Sequence, residues 1–329
     1  MTGYIIRRVL LNFLVIFILA TFVFIAVRIL PGDYTVEQIA TRQFAGGGVE
    51  GESVEDLMEE AREALGLHGS IIEQYGRYIR DVARGDFGIS LQTRQSTISE
   101  TREALPYTLQ LGTMTLLVAL VIGIPFGCLS AWRKGSRLDA ALRVTAMLGL
   151  AAPTFWTATI GTLIVLETGW IHLDVLGHPG IWEDPWGSIQ LFLIPAIAGG
   201  VGIGAILMRL VRSEMIAVMG TDYVRTARAK GLAETAVAVH HGLRSALPTI
   251  ITLLGLLVAV VVGGTIILEV MFNIPGMGQR MIRAIGGRDL PMIQTLALSI
   301  AVMVVFANLV VDIITAVVDP RISVSASDV

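Results

Sequence analysis

Cysteine occurs once, at Cys128, and lysine only twice, at Lys134 and Lys230, in a chain of 329 residues. A single thiol rules out an intramolecular disulfide and a structural metal site built on thiolates; inside an apolar stretch it reads as a small packed side chain. Neither lysine follows a glycine, so the phosphate-cradling loop that ends in Gly-Lys-Ser/Thr is missing and the chain is not itself a P-loop ATPase. A His-Glu-x-x-His helix and a Gly-x-Ser-x-Gly elbow are missing as well. Charge is scarce: 16% of residues are charged against 54% hydrophobic, and mean hydropathy is +0.72. No soluble core of this size hides so much apolar surface, so lipid is part of the solvent. Without a long charged tail or low-complexity tract, nothing suggests a nucleic-acid partner.

What is present is a series of apolar runs. A bilayer core about 30 Å thick needs ~20 mostly apolar helical residues, and about six runs qualify: 9–29, 105–131, 138–166, 189–210, 247–271 and 291–318. The first follows Arg7 and Arg8 and exceeds the ~7–15 residues of a signal-peptide core, which makes it an uncleaved span. The fold class is therefore an all-α integral membrane protein. Pro125, Pro153, Pro195 and the Gly263-Gly264 pair lie in or near the spans; they fit bends beside a pathway and equally fit helix packing through small residues.

Basic residues orient the chain, because short cytoplasmic loops are enriched in Lys and Arg. Arg7 and Arg8, then Arg133, Lys134 and Arg137, then Arg212, Arg225, Arg228, Lys230 and Arg244 fall on one side. That side is expected to be cytoplasmic, with both termini on it. The opposite loop, 168–188, holds Asp174, Glu183 and Asp184 without Lys or Arg; only Arg280, Arg283 and Arg288 resist the rule.

The expected organisation is a first transmembrane helix at 1–30, a small external subdomain at 31–104, and a five-helix core at 105–329 with a cytoplasmic loop at 213–247. The external segment contains a Gly-rich acidic part, Gly46 to Glu52, and helical patterns at Glu55 to Leu65 and Ile71 to Ala83 that stop near Gly66 and Gly85. It reads as a structured cap or as a docking surface for something delivered from outside.

The distinctive stretch is Thr221-Asp222-Tyr223-Val224-Arg225-Thr226-Ala227-Arg228-Ala229-Lys230-Gly231-Leu232, running on to Leu247-Pro248. Small residues at Ala227, Ala229 and Gly231 would let another surface approach the backbone, with Arg225, Arg228 and Lys230 as charged anchors. That composition suits a short docking helix. It also suits a basic loop lying on anionic headgroups, which attract such segments by ~1 kcal/mol per basic residue.

These residues carry a resemblance. The Thr-Ala-Arg-Ala-Lys-Gly-Leu run resembles the cytoplasmic loop of ABC-importer permeases, in the version found in the dipeptide, oligopeptide and nickel permease family. Arg225 replaces the acidic residue of the general importer motif, and the gap to Leu247-Pro248 is longer; both departures are usual in the peptide branch. Nearly the whole chain is similar: Pro31-Gly32-Asp33, Leu65-Gly66-Leu67, Gln74-Tyr75, Gly85-Asp86-Phe87-Gly88 with Ser90, Pro153-Thr154-Phe155-Trp156, Glu269, Phe272, Pro275-Gly276-Met277-Gly278, Asn308, Asp312 and Asp319-Pro320-Arg321 all match the family pattern. The long external segment resembles that of one of the two permease types in these heteromeric systems.

The resemblance implies a type I ABC importer permease in a prokaryotic cytoplasmic (inner) membrane, importing di- or oligopeptides, with nickel chelates, glutathione or short oligosaccharides as alternative cargoes. It implies a second homologous permease, two ABC ATPase subunits and an extracytoplasmic substrate-binding protein as partners. ATP and Mg belong to the ATPases, and this chain binds no cofactor. Asp222, Arg225, Thr226, Ala227, Arg228, Ala229, Lys230, Gly231 and Leu232 become the ATPase-coupling residues, with a helix expected at about Arg225 to Leu232. No catalytic or substrate-binding residue is assigned.

Ionisable groups near spans are weighed separately. Glu167 and Glu269 lie near span ends and read as water-accessible interfacial carboxylates. Asp312 follows Asn308 by one turn, on one helix face, and fits a buried packing contact or a contact with the partner permease. His172 and His178 share a loop with Asp174, loose spacing for a metal and ordinary for a loop. A membrane-embedded enzyme built on these residues is the rival from another class.

Overall fold

The computed structural model describes residues 2–29, 69–169 and 180–318. Among the described residues the chain is helical and forms no β-sheet. The helices are α1 (Thr2–Ile29), α2 (Ile71–Arg84), α3 (Thr97–Trp132), α4 (Arg137–Ala151), α5 (Thr154–Thr168), α6 (Pro185–Met219), α7 (Asp222–Ala229), α8 (Glu234–Met271), α9 (Met277–Gly286) and α10 (Leu290–Val318). Helices α1, α3, α6, α8 and α10 are long and apolar enough to cross a membrane, and α4 with α5 makes a sixth span if the bent pair is one. The expected helix at Glu55 to Leu65, the Gly46–Glu52 stretch, the loop with His172, Asp174 and His178, and the motifs at Pro31, Leu65 and Asp319 lie outside the described residues.

The third span departs from the single run expected at 138–166. It is two helices of 15 residues each, α4 and α5, bent by 101°. Proline disfavours helical backbone in the residue before it; Ala152 is accordingly extended (φ −73°, ψ 122°) and Pro153 becomes the N-cap of α5. Pro106, Pro125, Pro195 and Pro248 are instead carried inside helices. The helix that opens at Glu234 also contains a π-helical segment, Val237–Leu243, which ends about one turn before the apolar run begins. Such segments concentrate at functional sites.

The chain divides into two compact units. One comprises residues 1–12, 104–279 and 303–329. Its centre is α6, the most enclosed of the long helices. Gly127 of α3 and Gly200 of α6 permit the closest approach: an added Cβ at Gly127 would lie 2.8 Å from the Met208 carbonyl oxygen, and one at Gly200 would lie 2.9 Å from that of Thr115. Small residues at membrane helix interfaces gain dispersion contact this way. Leu207, Val211, Met215, Ile250 and Val261 form one buried cluster, and Leu111, Phe192, Leu268 and Ile274 belong to another.

Polar locks hold the ends of this unit. The Arg212 guanidinium donates to both carboxyl oxygens of Asp139, at 2.9 and 3.0 Å, and Asp139 also accepts from Ser130 (2.6 Å) and the Gly135 amide (2.9 Å). Arg212, counted above among the loop cations, thus sits inside α6 and ties it to the α3–α4 turn. Arg8 of α1 pairs with Asp312 of α10 at 3.0 Å, which makes Asp312 an intrachain ion-pair member.

The other unit comprises residues 13–103 and 280–302. Asp289, 1% exposed, caps α10 by accepting from the Met292 amide at 3.2 Å and receives the Ser90 hydroxyl at 2.5 Å. Thr295 donates to Thr97 at 2.9 Å. The Gly85-to-Ser90 motif is thereby fastened to the start of the last span. Arg280 pairs with Glu100 (2.8 Å) and Glu103 (3.2 Å) on the first turns of α3.

Candidate coupling site

The distinctive stretch folds as α7, shifted from the expected 225–232 to Asp222–Ala229. Thr221 is its N-cap residue and Asp222 occupies the first turn, where a negative charge suits the helix dipole. Its end is set by Gly231, whose φ of +77° lies in the left-handed region that costs a side-chain-bearing residue about 1–2 kcal/mol. Nothing lies within 4 Å of the place a Cβ would take there. The glycine therefore serves the backbone turn, and open space beside it is a second property.

Only two of the eight helix positions point inward. Val224 (0% exposed) and Ala227 (5%) pack with Val237, Val218 and Met219. Ala227, expected to admit a partner, instead keeps α7 close to its own neighbours: a larger side chain would push the helix off that cluster. Asp222, Arg225, Thr226, Arg228, Ala229, Lys230, Gly231 and Leu232 are exposed. The side offered outward thus carries Arg225 and Lys230, the methyl group of Ala229 and the apolar side chains of Tyr223 and Leu232.

Three contacts bolt this helix to the spans on either side. Arg228 donates from Nε to Glu234 Oε1 at 2.8 Å and from Nη2 to Oε2 at 3.4 Å. Its Nη1 reaches the Met219 carbonyl, the last residue of α6, at 3.4 Å. The Tyr223 hydroxyl meets His241 Nδ1 at 2.6 Å, with the rings edge to face at 5.2 Å. Among the described residues Arg225 makes only an i, i+3 pair with Asp222, 3.1 Å, between largely exposed side chains. Exposed pairs of that kind contribute about 0–1 kcal/mol, so Arg225 remains available to an incoming acidic group.

Tyr223, Glu234 and His241 were not identified from sequence as site residues. Arg228 and Glu234 are six apart across a helix end and Tyr223 and His241 eighteen apart, so neither pair falls on a helical i, i+4 spacing.

Glu269 serves the fold in a different way. Expected at a water-accessible span end, it is 0% exposed. Its Oε2 accepts from the Gly278 amide (2.7 Å) and the Gln279 amide (3.1 Å), and its Oε1 from the Thr108 hydroxyl (2.8 Å). Thr108 in turn accepts from the Met277 amide at 2.8 Å. The first N–H groups of a helix have no partner within it, and here α9 receives them from α3 and α8. Gly278 makes room: a Cβ there would lie 2.8 Å from the Ile266 Cα. Glu269 and Asp312 are thus both engaged in structural bonds.

The family model described as "Binding-protein-dependent transport system inner membrane component" matches residues 123–324, which include every residue of α7. The chain is 33% identical to a probable peptide ABC transporter permease protein, y4tP, of Sinorhizobium fredii, over 97% of this chain and 98% of that protein. It is 34% identical to the oligopeptide transport system permease protein AppB of Bacillus subtilis, and 34% identical to the dipeptide transport system permease protein DppB of Lactococcus lactis. Both alignments cover 98% of this chain and 99% of the relative.

Proposed function

This chain belongs to the family of binding-protein-dependent transport system inner membrane components, and we propose that it is the permease subunit of an importer whose cargo is di- or oligopeptides. It is a multi-pass membrane protein and a transport component rather than a catalyst. The peptide cargo follows the names of its relatives.

The observation that carries the mechanism is the build of α7: a short helix between two spans, with its inner residues packed on α6 and α8 and a cationic, small-residue surface outward. In this reading α7 lies in the cytoplasm and enters a groove on an ABC ATPase subunit. Asp222, Arg225, Thr226, Arg228, Ala229, Lys230, Gly231 and Leu232 form or support that surface, while Ala227 seats the helix from within. ATP and Mg are bound by the ATPases. A second homologous permease completes the pathway, and a substrate-binding protein delivers peptide on the extracytoplasmic side, where residues 31–104 lie. Both termini are cytoplasmic, in the inner membrane of a prokaryote.

Nucleotide binding can bias the pathway only through an element that has two arrangements. Because α7 is bonded to the end of α6 through Arg228 and to the start of α8 through Tyr223 and Glu234, a displacement of α7 moves both spans together. A loosely tethered basic loop would absorb that displacement.

The test is reconstitution with the co-expressed ATPases, second permease and binding protein in vesicles. ATP on the ATPase side is expected to drive uptake of a labelled dipeptide, and a non-hydrolysable analogue is not. Uptake of peptide by this chain alone would contradict the reading.

A further inference from the structure

We propose that α2 is a membrane-surface anchor: an amphipathic helix embedded in the bilayer boundary at which α1 ends, with Ile71 and Ile72 among acyl chains and Arg80 and Arg84 at lipid phosphates. The inference does not depend on the cargo or on ATPase docking.

Its first support is depth. The Tyr75 hydroxyl hydrogen-bonds Thr21 Oγ1 at 2.8 Å, and the Phe24 ring lies 5.3 Å from that of Tyr75 and 5.4 Å from that of Tyr78. The apolar stretch of α1 runs from Ile6 to Val27. Thr21 is six residues inside its end, and at ~1.5 Å per residue that is about 9 Å. Phe24 is about 4–5 Å inside by the same rise. A helix touching α1 at those levels cannot stand clear of the membrane; interfacial helices bury their apolar side by about 5–10 Å.

The second support is the direction of the contacts. As α2 advances from Tyr75 to Tyr78, its contact on α1 moves from Thr21 with Phe24 to Phe24, towards the end of the span. Ile71 and Ile72 therefore lie on the deeper side, and Arg80 and Arg84 on the shallower.

Exposure supplies the third. Ile71, Tyr75, Tyr78, Ile79 and Val82 recur at helical spacing with Ile72 beside them. Ile71 is 69% and Ile72 83% exposed. In water two open isoleucines on a polar helix leave their apolar surface hydrated; among acyl chains that surface is removed from water. Phe22 and Ile25 of α1, at the levels where α2 touches the span, are likewise open, 67% and 48% exposed. Glu73 does not oppose it, because its carboxyl group folds back onto the Ser70 amide at 2.9 Å in a capping box. Arg80 and Arg84, one turn apart and exposed, match the anionic headgroup layer.

The test is fluorescence in vesicles of phosphatidylcholine and phosphatidylglycerol containing the chain with its co-expressed subunits and no binding protein. With Cys128→Ala as background, NBD is attached at Ile72→Cys or, for comparison, at Arg84→Cys. Acyl-chain-brominated lipid is expected to quench the probe at 72 roughly twofold more than at 84, with iodide quenching in the reverse order. Ile71→Cys gives the same readout if Ile72→Cys fails to assemble. A probe at 72 open to iodide places α2 in water and overturns the proposal. A probe shielded from both quenchers overturns it too, because protein then covers the isoleucines. Neither result bears on peptide uptake, which is read separately.

Discussion

Arg228 and Glu234 form a two-point ion pair across the turn that ends α7, and the same guanidinium reaches the carbonyl of Met219 at the end of α6. One side chain therefore joins the exposed helix to the span before it and to the start of the span after it.

If that junction transmits motion, breaking it uncouples transport before it unfolds the protein. The pair is partly exposed, 38% and 51%, so Arg228→Gln or Glu234→Gln is expected to cost stability only about 0.2–1 kcal/mol. ATP-driven dipeptide uptake is expected to fall while ATPase turnover persists. The reversed pair Arg228→Glu with Glu234→Arg remakes the ion pair but not the bond to the Met219 carbonyl, since a carboxylate does not donate, so uptake in the same vesicle assay is expected to recover only in part.

Gly231 separates backbone from space. Its left-handed φ disfavours alanine by about 1–2 kcal/mol, whereas asparagine visits that region more readily. Gly231→Asn is expected to retain more co-purifying ATPase than Gly231→Ala, although asparagine is the larger residue. The reverse order would mean that room for the partner, rather than the turn, is what the glycine supplies.

The buried Asp139–Arg212 pair predicts a non-additive result. Arg212→Met leaves Asp139, 1% exposed, without its strongest partner and is expected to destabilise by about 3–5 kcal/mol. Adding Asp139→Leu removes a buried carboxylate then left to Arg143 at 3.5 Å, and recovers most of that loss. Thermal unfolding in detergent of the two single variants and the double variant checks it.

Glu269 predicts a loss of stability with no loss of chemistry. Glu269→Ala deprives the Gly278 and Gln279 amides of their acceptor, at about 1–3 kcal/mol for each buried group left unpaired. Thr108→Val does the same to the Met277 amide. Because Thr108 and Glu269 also bond each other, the double variant is expected to cost less than the sum of the two.

The spans were legible because lipid enforces a length: a run such as 291–318 stands out by its apolar residues alone and returns as α10 (Leu290–Val318). The break at Pro153 was not, since the same proline signature at Pro125, Pro195 and Pro248 leaves helices continuous and neighbouring packing decides between the outcomes. The helix at α7 was legible as a candidate site through the composition of its stretch and its resemblance to a family, but its inner and outer sides were not. Ala227 and Ala229 look alike in sequence, and only the register set by Thr221 and Gly231 turns one inward and the other out. Glu269 read as an interfacial carboxylate because the helix it caps begins eight residues later, beyond any local pattern.

That difference between Ala227 and Ala229 also gives the most direct test of the coupling role. In a Cys128→Ala background, a benzophenone probe is attached at Ala229→Cys or Ala227→Cys, and the intact complex is irradiated with and without nucleotide. An adduct is predicted between position 229 and the ATPase subunit, whereas the thiol at 227, buried in the folded complex, is expected to take up little probe and to yield little or no adduct. Absence of any ATPase adduct at 229 in a complex that still imports peptide would contradict the assignment of α7 as the coupling helix.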